Sequence, residues 1–449
     1  MEEEKIIEDV TNFIENKRIS DLRKYLENIN SADFPSILEN IDDEKIIMVY
    51  RLLSKEKAAE VFVELEHDDQ ERLINCLTDK EIKNVMNEIF MDDAVDLIEE
   101  MPSNVVKRIL ANTKLEDRKI INELLKYPDD TAGSLMTTEF IDLKENMTVE
   151  KAFEVIKQKG LQKETVYNCY VLATDRKLLG VLDIKDLLVA ETNQLVKEIM
   201  DTNVIEVQTL EDQEEVSKMF DKYDLVAIPV VDKENRLVGI ITIDDAIDVM
   251  QEETSEDFEL MAGITSTTDD SYFKTSVVSH AKSRILWLLL LMLSATITGT
   301  ITTYFESAIS ALPILVAFMP MLMDTGGNCG SQTSTLIIRG LATDEISSKD
   351  LLKVIWKEMR VALMVGVILG IVNGIRVAIQ YQNFLIAIVV AITLVLVVLA
   401  AKLIGGILPI IAKKVKLDPA LMASPIITTI VDIFSVTVFF TLASLILKI

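Results

Sequence analysis

Asp432 lies in the run PIITTIVDIFSVTVFF, which holds no basic residue. A charged side chain at the middle of a bilayer costs about 2.5–3.5 kcal/mol on insertion scales, so something must offset it. Read as helices, the apolar stretches place no Lys or Arg at the depth of Asp432. A cation in a wetted path is then its natural counterpart, and a protonated or water-bridged structural carboxyl is the plainer alternative. A second constellation is Pro320-Met-Leu-Met-Asp324-Thr-Gly-Gly327-Asn328-Cys-Gly330-Ser-Gln332. Its Pro and Gly residues are expected to break a helix and expose carbonyls, which at membrane depth survive only against protein or water. Carbonyls with Asn328, Gln332 and the Asp324 carboxylate are hard oxygen donors, suited to Mg2+ or Ca2+ and not to soft metals. A tight helix crossing through small residues is the alternative. With Asp324 and Asp432, Asp418, in LDPA, is the third of the acidic side chains that matter most in this half.

These residues need helices that cross a membrane. Five apolar stretches supply them: 285–305, 312–338, 361–378 with an extension over 354–359, 384–411 and 419–446. Each approaches or exceeds the length that spans a core of about 30 Å at 1.5 Å per residue. One such run fits a large soluble core; five in succession do not. With the amino-terminal half inside, the inner flanks hold Lys282, Arg284, Arg339, Lys349, Lys353, Lys402, Lys413, Lys414 and Lys416, and the outer flanks only Arg376 and Lys448. That bias places the amino-terminal domains in the cytoplasm and the carboxyl terminus outside.

Charge divides the chain in the same place. Residues 283–449 carry 8 acidic and 12 basic side chains; the remainder carries 64 and 33, a net of −31. Such a soluble half would repel phosphate, which excludes a nucleic-acid binder driven by charge. A hydrophobic share of 49% excludes a disordered chain. The three cysteines form no CxxC and suit a reducing compartment. The start, MEEEKIIEDV, has no apolar core, so no signal peptide is expected.

Residues 1–129 read as an acidic helical domain. AAEVFVELEHDDQERLI from Ala58 returns as AVDLIEEMPSNVVKRIL from Ala94, which predicts stacked helical hairpins in a short solenoid; unrelated amphipathic helices are the alternative. From residue 130 strands alternate with helices in two units, 130–196 and 197–250. Gly180-Val-Leu-Asp183-Ile-Lys-Asp186 and Gly239-Ile-Ile-Thr242-Ile-Asp-Asp245 each read as a strand ending at Gly and a helix opening on Thr or Asp. This resembles a pair of CBS domains, a flat module that dimerises and takes adenosine nucleotides in its clefts. Lys185, Asp186, Thr242 and Asp245 are the nucleotide-binding candidates. Residues 251–282 read as a polar connecting helix with a break near Gly263. Carboxylates crowd this half: Asp92, Asp93 and Asp96, with Glu60 a repeat earlier; Asp212, Glu214 and Asp224; then Asp244, Asp245, Asp248, Glu252, Glu253, Glu256 and Asp257. A solvated acidic surface explains them simply. Beside a cation path, divalent ions held between them would make a sensor.

PxxxDxGGNxGxQ followed by Arg339, then Asp418-Pro-Ala and Asp432, resembles the MgtE family of magnesium channels. The resemblance covers the whole layout: helical domain, CBS pair, connector and five spans. It implies a homodimer in the cell membrane, surrounded by lipid. Asp432 of both chains would face a central ion path, and Asp418 would lie near its cytoplasmic mouth. Intracellular Mg2+ bound between the soluble domains would close the pore. Carried over, the regulatory ligands are Glu60, Asp92, Asp96, Asp212, Glu214, Asp224, Asp245, Asp248, Glu253, Glu256 and Asp257. The run Met422-Ala423-Ser424-Pro425 departs from the family's glycine before the proline. The expectation is a Mg2+-selective channel gated by cytoplasmic Mg2+ and tuned by ATP, with no catalytic residue. No Walker A sequence is present, so ATP hydrolysis is not expected. The alternatives are a carrier of broader selectivity (Co2+, Mn2+), a membrane-anchored CBS nucleotide sensor, and an intramembrane aspartyl enzyme using Asp324 and Asp432.

Overall fold

The computed structural model describes residues 2–265, 272–273, 275–422 and 424–448. The chain forms two compact units, Met1–Gln251 and Glu252–Ile449.

The first unit opens with short helices: α1 (Glu2–Glu15), α2 (Ile19–Leu26), α3 (Phe34–Glu39), α4 (Asp43–Tyr50), α5 (Lys55–Val63), α6 (His67–Cys76), α7 (Asp79–Val85), α8 (Met91–Glu100), α9 (Ser103–Asn112) and α10 (Leu115–Leu124). Their starts are set locally. Ser54 accepts the Lys57 N–H, and Thr78 with Glu81 closes a capping box. α5 begins at Lys55 and α8 at Met91, α6 at His67 and α9 at Ser103. The internal repeat therefore maps one helical hairpin onto the next. α7 packs on α5 and α9, and α10 on α8. Leu22, Phe34, Ile37, Phe62, Ile82 and Ile109 fill the core between them.

Next comes the α/β part: α11 (Ala132–Leu135), β1 (Ile141–Lys144), α12 (Val149–Lys159), β2 (Asn168–Leu172), β3 (Leu178–Asp183), α13 (Ile184–Val189), α14 (Val196–Ile199), β4 (Val207–Gln208), α15 (Gln213–Tyr223), β5 (Ala227–Val231), β6 (Leu237–Thr242) and α16 (Ile243–Met261). It holds two sheets of one topology, β1-β2-β3 and β4-β5-β6, each with a parallel and then an antiparallel pair. The register slips at Val171/Leu172 in one and at Val230/Val231 in the other, the same place in each copy. Gly180 and Gly239 lie within their strands, not at the ends as read from sequence. The reason is a crossing. Met200 and the Asp201 carbonyl cover Gly180, while Met136 and the Thr137 carbonyl cover Gly239, so neither position has room for a Cβ. The segment opening the first unit in sequence thus lies on the second sheet, where Thr137 bridges Ile240, and Asp201 bridges Val181 on the first.

α16 runs without interruption into the connector and stops at Met261; Gly263 then adopts φ +72°. Part of the connector, 266–271 and 274, lies outside the described residues, as does Ala423.

The second unit continues with α17 (Val277–Tyr304), α18 (Glu306–Ala311), a 3-10 turn over Pro313–Phe318, α19 (Met319–Ala342), α20 (Leu351–Tyr381), α21 (Phe384–Lys414), a 3-10 turn over Pro419–Met422 and α22 (Ser424–Leu447). Among the described residues, four helical stretches are long and apolar enough to cross a membrane: Val277–Tyr304, Ser348–Tyr381, Phe384–Lys414 and Pro419–Leu447. α19 packs among α21 and α22. One expectation is corrected here: the TGGNCG run does not break the helix, and α19 is continuous through it. The irregular backbone comes earlier, at the Pro313–Phe318 turn, and Pro320 sits in the first turn, where its missing N–H costs nothing. The glycines serve close approach instead. A methyl group on Gly330 would meet Ile427 at 2.5 Å, one on Gly327 would meet Thr428 at 2.9 Å, and one on Gly405 would stand 2.3 Å from the Gly330 carbonyl oxygen.

Candidate metal centres

Because α19 and α22 touch through Gly326 and Gly327, polar groups beside that contact converge. Asp324, Asn328, Thr428 and Asp432 line one cleft of about 540 Å³, with Val316, Met319, Pro320, Met323 and Gly327 completing its wall. Asp324 and Asn328 are one helical turn apart on α19, and Thr428 and Asp432 one turn apart on α22. Two carboxylates, an amide and a hydroxyl are hard oxygen donors, and among the described residues no basic side chain lines the cleft. In the single chain Asp324 and Asn328 are exposed and Asp432 is half-buried, so the cleft is open on one side. Thr428 has no acidic or amide signature and was not singled out by sequence. Gln332 is exposed on the next turn of α19 and is not among the lining residues. Asp418 is also not among them: its Oδ1 accepts the Ala420 N–H at 2.6 Å and caps the turn that precedes α22. Lys402, assigned to an inner flank by sequence, is instead buried on α21 against Thr333 and Glu358.

A second centre lies in the first unit, where two helix starts face a loop. Asp92 and Asp93 occupy the first turn of α8, and Asp244 and Asp245 that of α16. Glu164, between α12 and β2, completes the group, with Glu139 beside it. Burial, and then the neighbouring Asp93, Asp245 and Glu164, hold Asp92 well above the usual carboxylate range. Burial first, and Asp245 next, push Asp93 up to about 7. The same cause with Asp93 pushes Glu164 up to about 8. Asp245 is pushed up to about 6 by burial, against the Thr242 hydroxyl that donates to it at 2.6 Å. Asp92 Oδ1 and Glu164 Oε2 are buried with no hydrogen-bond partner among the described residues. Ionising such buried oxygens, which no donor meets, is costly unless a cation comes to them. Among the described residues, however, no three such ligands converge as a ready-made ion site. A bridging ion must then keep waters, as Mg2+ does.

The other sequence candidates are distributed. Glu60 is exposed and accepts from Ser31 Oγ at 2.7 Å, with Lys57 Nζ at 3.5 Å; it is not among the main charges acting on Asp92. Asp96 is exposed one turn along α8. Asp212 caps α15 by accepting the Glu214 N–H, Glu214 pairs with Lys218 at 2.7 Å, and Asp224 closes the same helix at φ 51°. Asp248, raised by burial and by Asp244, follows Asp245 by one turn of α16. Glu253, Glu256 and Asp257 continue along that helix. Lys185 pairs with Asp183 at 2.9 Å and Thr242 bonds Asp245, so these nucleotide candidates are engaged locally, while Asp186 lies in the first turn of α13.

Residues 319–442 match the family described as divalent cation transporter, MgtE. Residues 29–130 match the MgtE intracellular N domain, and 132–193 and 196–252 the CBS domain. The chain is 34% identical over 392 residues to the magnesium transporter MgtE of Bacillus subtilis (strain 168), covering 87% of this chain and 86% of that one. It is 34% identical over 404 residues to the magnesium transporter MgtE of Thermus thermophilus, covering 89% of each. The crystal structure of the soluble part of a magnesium transporter matches with a TM-score of 0.53 at 30% identity, over 56% of this chain and 99% of that one. The crystal structure of the cytosolic domain of the Mg2+ channel MgtE in complex with ATP matches with a TM-score of 0.52 at 33% identity, over 54% and 99%.

Proposed function

The chain belongs to the MgtE family of divalent cation transporters, and from that premise we propose that it is a Mg2+ channel of the cell membrane, working as a homodimer. The observation that carries the reading is the convergence of Asp324, Asn328, Thr428 and Asp432 on one cleft without a basic side chain. The open side of that cleft suits apposition of a second copy, which would bring two Asp432 carboxylates to one path. Mg2+ dehydrates reluctantly. Opposed carboxylates and hydroxyls holding its water shell answer that chemistry better than a closed cage. The membrane potential favours inward passage by about 4.6 kcal/mol per 100 mV for a divalent ion. Replacing Asp432 by Ala in the full-length protein, reconstituted in liposomes, is expected to abolish Mg2+ uptake. Uptake at the wild-type rate would remove Asp432 from the ion path.

The membrane part has five spans, with α19 packed among the four more apolar helices. The soluble domains lie in the cytoplasm and the carboxyl terminus outside; the Lys/Arg bias supports this, as does the intracellular N domain matched at 29–130. Exposed Leu188 and Val189 on α13, with Ile247 and Met250 on α16, support pairing of the CBS parts. Cytoplasmic Mg2+ gates the channel by bridging Asp92, Asp93, Glu164 and Asp245. Asp96, Asp212, Glu214, Asp224, Asp248, Glu253, Glu256 and Asp257 are the further regulatory candidates. The end of α16 carries the state to the pore, since Leu260 packs with Ile338 of α19 and with Ala420. ATP binds the CBS pair, a reading supported by the ATP complex of the related cytosolic domain; titration calorimetry with ATP tests it. Nothing in this mechanism calls for catalysis. A second reading, passage of Co2+ and Mn2+ as well, is favoured by the family's description, which names divalent cations and not magnesium alone. Competition by each ion in the same uptake assay decides between them.

A further inference from the structure

On the other side of α19 from the cleft, three polar side chains meet in the dry interior. Lys402 Nζ donates to Thr333 Oγ1 at 3.1 Å, and the Thr333 hydroxyl donates to Glu358 Oε2 at 3.0 Å. Ammonium and carboxylate stand 3.9 Å apart, with side chains 8% and 12% exposed. One hydroxyl-bridged ion pair thus joins α19, α20 and α21. Thr333 follows Asn328 by five residues, about 140° further round the helix at 3.6 residues per turn. It therefore faces away from the cleft, and none of the three residues lines it. One turn beyond Lys402, Gly405 meets the Gly330 carbonyl, and Gly406 faces Glu358 and Thr333.

A buried ion pair contributes little net stability, because desolvation offsets attraction, but it can fix one arrangement among several. α19 has particular need of that. Along the contact with α21 and α22 at Gly326, Gly327 and Gly330 it has no side chain to set its rotation, and Ser334, one turn on, holds it only to the Met422 carbonyl at 3.3 Å. We propose that Lys402, Thr333 and Glu358 are positioning residues for the ion path: their clasp holds α19 at the rotation and height that aim Asp324 and Asn328 into the cleft. They do not touch the ion.

The inference rests on the cleft being the ion path, and its test separates the two. Initial Mg2+ uptake into liposomes is measured against external Mg2+, with Co2+ as competitor, for the full-length protein and for Asp432→Ala, Thr333→Ser, Thr333→Val and the double variant Lys402→Met with Glu358→Gln. The melting temperature of each is taken in detergent. Thr333→Ser keeps the bridging hydroxyl and should match wild type. Thr333→Val keeps the shape and loses the bridge; it should melt below wild type, by the cost of a lost buried hydrogen bond, yet still fold, need roughly tenfold more Mg2+ for half-maximal uptake and discriminate less against Co2+. The double variant removes both charges but leaves an amide oxygen to accept from Thr333, so it should fall between wild type and Thr333→Val. Wild-type half-saturation and discrimination in Thr333→Val would overturn the positioning role, whether or not the double variant folds. If Asp432→Ala transports normally, the ion-path reading itself falls.

Discussion

Glu164 is the residue of the soluble centre that spacing does not reveal. Asp92 and Asp245 stand in helix starts within acidic runs, whereas Glu164 comes from a loop with no period. Only folding brings it to them. The group has a pH consequence of definite sign. Glu164 titrates at about 8, Asp93 at about 7 and Asp245 at about 6, each raised by burial. A carboxyl raised on folding weakens the folded contact when ionised. That weakening is complete above about pH 8, is relieved as pH falls through those values, and ends near the ordinary range around 4. In Mg2+-free buffer the helical domain should therefore hold the CBS pair more firmly at pH 6 than at pH 8.5, read as slower proteolysis at residues 127–135. The reverse order would contradict the burial of these groups. Glu164→Gln removes one like charge and one orphan oxygen. Its pH dependence should flatten, and the Mg2+ needed for half-protection should rise by roughly 5- to 10-fold. An unchanged Mg2+ midpoint would take Glu164 out of the centre.

Helices were the most legible elements, and α19 shows where legibility ended. The repeat that marks α5–α6 and α8–α9, and the strand pattern that gives two like sheets, are visible because burial imposes period on sequence. The TGGNCG run reads as a break because glycine favours disorder in water. Packed against α21 and α22, α19 gains contact where its side chains are missing, so it keeps its helical hydrogen bonds through the run. The exchange of Met136 and Met200 between sheets was not legible either, since sequence order cannot say which sheet a crossing segment joins. Glycine substitutions test the contact. Gly405→Ala places a methyl group 2.3 Å from the Gly330 carbonyl oxygen and should destabilise by about 1–3 kcal/mol or more, while Gly299→Ala, with nothing within 4 Å, should melt like wild type. Equal melting temperatures in detergent would mean that α19 and α21 do not approach so closely.

For the whole molecule, a net of −31 on the soluble half makes ion valence the test of gating. At matched ionic strength, Mg2+ should slow proteolysis at 127–135 where Na+ does not, because screening alone cannot bridge two carboxylates. Equal rates in both salts would reduce the acids to a solvated surface. The crossed segments in the CBS pair then acquire a mechanical meaning. The chain leaving the helical domain at Thr131 pairs through Thr137 with Ile240 on β6, and α16 begins one residue after β6 ends. The backbone is thus continuous from that bridge through β6 into α16, whose end carries Leu260 against Ile338 of α19. The sheet β1-β2-β3 lies outside that continuous stretch of backbone. A substitution that loosens the Thr137–Ile240 bridge should therefore reach the start of α16 without passing through β1-β2-β3.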